Sequence, residues 1–394
     1  MRFQPMKLKM NFACLITVFA VNLLSATAVH AGAAEKTEIL FAGPAGSATT
    51  LAEDASGNLY TSFVVRTAGG FTNEIVKLTP NSNGSWTQQV IYRGFENESA
   101  EPSYVDAKGN LFGTTFTPGG QSNCGIVFEL SPSGKASWTE TTLHTFPCFG
   151  SGASGELSPL IADSKGNLYG GSDFANFYYS LSPTAGGHWH YSVIYNCRAN
   201  CGLQLVADAE GNLYGASAGI FKLTPNGEGN LWTYTSLYSF NAPVDGSQPS
   251  GLSFDSQGNL FGANSQGGAD AGGTVFELSP TSGGGWTFSL LWSFASFGPE
   301  GSQPLEIYSP SPGELIGTNF VGGASGLGAV FSLTQSQGGE WTETVVHSFA
   351  GSPNDGEDPG YLLTNPSGNS YGLASGGLLN CAGSGCGILF EVTP

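Results

Sequence analysis

"DAEGNLYGAS" (residues 208–217) decides the fold, because relatives of it recur along all 394 residues: "EDASGNLYTS" from Glu53, "DAKGNLFGTT" from Asp106, "DSKGNLYGGS" from Asp163, "DSQGNLFGAN" from Asp255, "SPSPGELIGT" from Ser309 and "TNPSGNSYGL" from Thr364. Its glycine supplies the positive φ that a tight hairpin needs, and its leading Asp can accept hydrogen bonds from backbone amides two or three residues on. A calcium loop would need several alternating oxygen ligands, whereas one carboxylate recurs here. The stretch therefore reads as a turn between two strands. With Ser309 and Asn365 at the Asp position, the sixth and seventh copies read the same way.

Around each turn lie four short apolar segments rich in aromatic and β-branched residues and bounded by Gly, Pro, Asp or Asn, which is the strand signature. In the fifth unit they are "PSGLSFD" from Pro249, "GNLFGAN" from Gly258, "GTVFELSP" from Gly273 and "WTFSLLWSF" from Trp286. The turn glycines Gly57, Gly109, Gly166, Gly211, Gly258, Gly313 and Gly368 are 45 to 57 residues apart. Four strands at that period predict an all-β, seven-bladed β-propeller with antiparallel blades. The seventh unit stops after its third strand, while "KTEILFAG" from Lys36 has no unit before it. Thr37 to Phe41 are thus expected to complete the last blade and close the ring, since an open ring would leave a blade face exposed.

Residues 1–31 stand apart: Arg2, Lys7 and Lys9 precede the apolar run "FACLITVFAVNLL", and "AVHA" ends at Ala31. They read as a secretory signal peptide, leaving 32–394 as one propeller domain with no membrane insertion afterwards. Its removal takes three of the 12 basic residues and none of the 30 acidic ones, so the mature net charge is −21. Nucleic acid is excluded as a partner by that balance. Cys14 leaves with the signal. Six cysteines remain, and in an exported chain they are expected as disulfides in the pairs Cys124–Cys148, Cys197–Cys201 and Cys381–Cys386. A zinc site is disfavoured by CxxxC and CxxxxC spacings with no nearby histidine pair.

The segment order resembles propellers of the NHL type, in which a Pro-led strand ending in Asp is innermost and the Gly-Asn-Leu-Tyr strand comes second. Whole repeats such as "GNLFGTTFTPGG" from Gly109, "GIVFELSP" from Gly125, "WTETTLHTF" from Trp138 and "WTETVVHSFAGSPNDGEDP" from Trp341 resemble the GloVer tandem-repeat family of secreted bacterial proteins. The resemblance implies export and a repeat fold, and assigns no chemistry.

Strand order places the Asp-led turns on one face of the ring and the blade-to-blade crossings on the other. Those crossings carry the candidate ligand-binding carboxylates Glu98, Glu101, Asp245, Glu300, Asp355 and Asp358, and each leads into an innermost strand at the channel mouth. The cysteines fall on the same face, where staples would preorganise a binding surface. Phe116, Phe149, Phe174 and Phe297 are candidate stacking residues for sugars, although packing is the commoner use of such rings. No catalytic residue, metal ligand or cofactor is assigned. "GASAG" from Gly215 matches GxSxG but lacks the strand-to-helix elbow that chemistry needs. The expectation is a monomeric, secreted or surface-held binding module for an extracellular glycan or protein. The alternative is a metal-assisted hydrolase or lyase acting on a lactone or polysaccharide at the mouth.

Overall fold

The computed structural model describes residues 36–393 apart from 46–49, 68–69, 95–98, 117–122, 135–136, 148–156, 173–175, 198–200, 203, 228–230, 297, 353–354, 366–367 and 377–385. Residues 1–31, expected as the signal peptide, lie outside the described residues. Ala34–Pro394 form one compact unit.

Seven antiparallel sheets of four strands make up that unit, six of them in simple sequence order from inner to outer. The seventh runs from Gly356–Thr364 through Ser370–Gly376 and Cys386–Thr393 to Lys36–Ala45, the strand from the other end of the chain. Its register pairs Thr37 with Val392 and Phe41 with Leu389, so the expected closure is realised. Each inner strand touches those of its two neighbours, and Gly356–Thr364 touches Leu51–Glu53, completing the circle. A one-turn helix at Ala242–Asp245 interrupts an otherwise β architecture.

The turn glycines all have positive φ, from 76° at Gly57 to 88° at Gly368. The Asp carboxylates of the first, second, third and fifth copies accept from the amides two and four residues on. The second donor thus lies four residues away, not three, because the chain makes a type I turn before the glycine bulge and returns its amide at that distance. Asp208 accepts from the Asn212 amide and side chain at 2.8 and 2.7 Å. Asn365 keeps the scheme, accepting from the Asn369 amide. The sixth copy departs from it: Ser311 pairs directly with Glu314, so Pro312 and Gly313 form a two-residue turn and Ser309 does not act as the Asp equivalent.

A second rule sets blade thickness. In six blades a glycine of the second strand faces an aromatic residue of the third: Gly113–Phe128, Gly170–Tyr179, Gly215–Phe221, Gly262–Phe276, Gly317–Phe331 and Gly372–Phe390. The ring lies over the bare backbone, and a Cβ at Gly262 would stand 2.3 Å from Phe276. In the first blade the pair is Thr61–Val76, the same division of space between different side chains.

Blades join through seven buried apolar clusters, one per junction. The recurring Trp of one outer strand meets the second-strand Tyr or Phe of the preceding blade edge-on: Trp86–Tyr371, Trp138–Tyr60, Trp189–Phe112, Trp232–Tyr169 and Trp286–Tyr214 have centroids 5.5 to 6.2 Å apart. Trp341 and Phe261 share a cluster in the same way. Lys36–Ala45 carries no Trp, and the preceding blade there offers Ile316 instead of an aromatic ring. Small residues beyond that position, Thr114, Thr115, Ala216 and Ala263, are buried and admit the neighbouring blade.

Candidate functional site at the channel mouth

The crossings into the fifth, sixth and seventh blades are built alike, "DGSQP" at 245–249, "EGSQP" at 300–304 and "DGEDP" at 355–359. Their leading carboxylates are bound into the fold to different degrees. Asp245 is 6% exposed and accepts from the Tyr238 hydroxyl and the Asn241 amide, both at 2.5 Å. Its carbonyl accepts from Asn264 and Thr274. Asp355 accepts from the Ala350 and Gly356 amides at 2.9 Å and lies 3.1 Å from His347 Nε2. Glu300 is half-buried and its carbonyl holds Asn319 at 2.9 Å, the counterpart of the Asp245–Asn264 bond. Tyr238 and His347 are equivalent outer-strand positions, which is why the crossing carboxylate meets an aromatic donor in both.

Just before the prolines, three consecutive blades hold a polar residue in left-handed backbone: Gln248 at φ 55°, Gln303 at 58° and Asp358 at 50°. This region is disfavoured for a residue with a side chain, and a following proline restricts it further. Both glutamines are exposed and Asp358 is half-buried, so the mouth is fringed by amide and carboxyl groups on a fixed backbone. Glu101 is buried within the inner strand Ser99–Val105, opposite Thr114. Glu98 lies outside the described residues.

Below the fringe, side chains from several blades converge on the axis. Gln204 Nε2 donates to Glu306 Oε1 at 2.6 Å, although the two belong to the fourth and sixth blades. Register explains the reach. Gln204, Gly251 and Glu306 each precede the inner-strand residue that faces a second-strand glycine, at Gly215, Gly262 and Gly317. The intervening fifth blade thus has no side chain at this level, and a Cβ on Gly251 would stand 2.7 Å from Glu306 Cα. Glu306 is 8% exposed, and burial pushes its carboxyl up to about 8, opposed by the Gln204 hydrogen bond. Tyr361 of the seventh blade occupies the equivalent position, and burial together with the charges of Glu306 and Glu101 raises its hydroxyl strongly. Tyr308 is raised by burial, by Tyr361 and by Glu306. Gln204 Oε1 is buried with no hydrogen-bond partner among the described residues, as is Thr50 Oγ1 just before the first blade's inner strand. A protonated Glu306 carries an O–H donor that its carboxylate form lacks.

Among the described residues no three His, Cys, Asp or Glu are grouped so as to hold a metal ion. Cys197 and Cys201 form a disulfide across one crossing. Cys148 and Cys381 lie outside the described residues, as do the side chains of Cys124 and Cys386, and so the other two expected pairs fall there as well. Phe149, Phe174, Phe297 and the Phe116 side chain also lie outside them. His144 stacks on Tyr191 at 3.8 Å. Reading by repeats directed attention to the crossing carboxylates and passed over Glu306, Gln204 and Tyr361. The available signal was "LEI" at 305–307, a lone carboxylate between apolar residues inside an innermost strand.

No curated protein matches the chain. Among solved structures it resembles the periplasmic gluconolactonase of Pseudomonas aeruginosa, with TM-score 0.57 and 13% identity over 76% of this chain and 84% of that one. It also resembles a virginiamycin B lyase from Staphylococcus aureus, with TM-score 0.55 and 12% identity over 91% of this chain and 99% of that one. Identities this low speak for the fold alone. The model of the Gloeobacter/Verrucomicrobia repeat matches residues 200–394, the half of the chain that holds Gln204, Glu306 and the three like crossings, and this region belongs to that repeat family.

Proposed function

We propose that the chain is an exported β-propeller binding module that takes an extracellular glycan or protein at the channel mouth on the crossing face. The observation that carries this reading is the left-handed backbone of Gln248, Gln303 and Asp358 at equivalent places in three consecutive blades. Strain at non-glycine residues persists where the surroundings enforce it, and it concentrates at ligand clamps. Asp245 and Asp355 supply that enforcement by holding their crossings, while Gln248 and Gln303 are exposed and Asp358 is half-buried. The Cys197–Cys201 disulfide stiffens another crossing of the same face. Among the described residues no helix is long and apolar enough to cross a membrane. With residues 1–31 read as a signal peptide, the site of action is outside the cytoplasm.

The test is a binding screen of the whole chain against extracellular glycans and surface extracts of the producing cell, repeated with Gln248→Ala, Gln303→Ala and Asp358→Ala. Each substitution is expected to weaken the binding found by about tenfold, equal to ~1.4 kcal/mol. A ligand that ignores all three does not bind at this mouth.

One observation favours a second reading, that of a hydrolase or lyase. Glu306 is a buried carboxyl poised to hold a proton near neutral pH, beside Tyr361 and a hydrogen-bonded amide, as a general acid requires. Turnover of a lactone or polysaccharide that disappears in Glu306→Gln while binding persists would establish it.

A further inference from the structure

On the opposite face, a cavity of about 600 Å³ opens between the fourth and fifth blades. One lip is the turn Asp208–Asn212, the other is the turn Asp255–Gly258, and the outer hairpin at Pro280–Trp286 closes the end. The volume lies within the range of sites that enclose small organic ligands.

Part of this groove is required by the fold. Tyr214 and Trp286 form the edge-on pair found at four other blade junctions, and Lys222 lies over the Tyr214 ring at 5.3 Å and 4.0 Å from Asp208. Phe254 is a departure from the repeat. It faces the second-strand Leu260, and the equivalent places hold Glu53, Val105, Ala162, Ala207 and Thr364. Its half-buried ring meets Tyr214 edge-on at 5.0 Å and adds an aromatic wall to this junction. On the two lips, Glu210 and Gln257 are exposed, and neither makes a side-chain hydrogen bond with the described residues. The Asp208 and Asp255 carboxylates are held by their own turns.

We propose that this groove is a glycan-binding subsite for neutral hexose units, separate from the channel mouth. A pyranose presents an apolar C–H face and a rim of hydroxyls. The Phe254 and Trp286 rings offer the first a flat wall, while Glu210 and Gln257 offer the second a carboxylate and an amide without partners. Three carboxylates face one lysine, so a uronate or sulfated sugar meets repulsion, and a neutral one does not.

The test is calorimetric titration of the whole chain with tetrasaccharides of glucose, mannose and galactose, and with a uronic acid tetrasaccharide of equal length. At least one neutral tetrasaccharide is expected to bind and the uronate is not. Phe254→Ala and Glu210→Ala should each weaken binding at least about fivefold, Glu210→Ala with the melting temperature within about 2 °C of the parent. Gln88→Ala, exposed on the outer strand of the first blade and part of neither site, should leave this binding unchanged, whereas a tetrasaccharide whose binding falls with Gln303→Ala but with neither groove variant is held at the mouth, so that failure here and failure of the mouth reading are seen separately. If no neutral tetrasaccharide binds, if the uronate binds equally, or if both groove variants bind like the parent, the subsite does not exist. Should Phe254→Ala fold poorly, Glu210→Gln and Gln257→Ala carry the same decision.

Discussion

Tyr214 donates its hydroxyl to Asp208 Oδ2 at 3.0 Å while its ring packs edge-on against Trp286 of the next blade. One side chain thereby ties a hairpin turn to a blade junction. The same bond joins Tyr60 to Asp54 and Tyr169 to Asp163. Phe112 and Phe261 stand at the corresponding places without a hydroxyl, so the ring is the constant element and the hydrogen bond an addition.

Tyr214→Phe is therefore expected to lower stability by about 0.5 to 1.5 kcal/mol, the net value of one hydrogen bond. Asp208→Ala should cost more, about 2 to 3 kcal/mol, because the Asn212 amide, the Asn212 side chain and Tyr214 all lose their acceptor. Urea unfolding of both variants and the double variant measures this. Equal losses from the two single substitutions would show that the turn does not depend on its carboxylate.

The glycine–aromatic rule predicts a compensated exchange. Gly262→Ala places a methyl against Phe276 and should destabilise by about 2 to 4 kcal/mol. In the first blade, Val76→Phe alone should be harmful because Thr61 occupies the space, and adding Thr61→Gly should restore at least half of the loss. Thermal melts of the three variants decide it. Two losses that merely add would mean the pair does not share one volume.

What the sequence made legible is local or periodic. Turn glycines, Pro-led strands and the Trp positions are set within a few residues of one another, so seven copies disclose the blades, and the unmatched segment at Lys36 discloses the closure. The axial pair is of another kind. Gln204 and Glu306 are 102 residues apart, and their contact needs Gly251 to leave the level between them empty, a condition that no local pattern expresses. The crossing carboxylates were visible as a class. Their division into fold-holding residues such as Asp245 and half-buried ones without a side-chain bond to the described residues, such as Asp358, depends on partners outside the crossing itself. The sixth turn misled because Ser309 aligns by spacing, while Pro312–Gly313 makes a shorter turn of its own.

Asp355 separates holding the mouth from binding at it. Asp355→Ala removes the acceptor for the Ala350 and Gly356 amides and the partner of His347, and about 2 kcal/mol of stability should go with it. Asp358 makes no side-chain hydrogen bond with the described residues, so Asp358→Ala should leave the melting temperature within about 2 °C of the parent. If the losses came out reversed, the assignment of Asp355 to the fold and Asp358 to the ligand would be wrong.

Glu306 gives the protein a pH dependence of definite sign. Burial raises its folded value to about 8, from an ordinary value of 4.5, so the folded state binds a proton that the unfolded chain releases. The contribution is complete below pH ~4.5, declines as pH rises, and is lost above pH ~8, a span of about 5 kcal/mol at most for a carboxyl this deeply buried. Glu343 tilts the profile in the same direction, pushed up to about 7 by burial and by Glu300. Glu306→Gln keeps an amide opposite Gln204 and removes the titration. The variant is expected to match the parent near pH 4.5, to exceed it in melting temperature at pH 9, and to show a flatter profile between. A parent that grows more stable from pH 5 to 9, or a Gln variant weaker than it at pH 9, would mean that Glu306 is held as an anion on the axis.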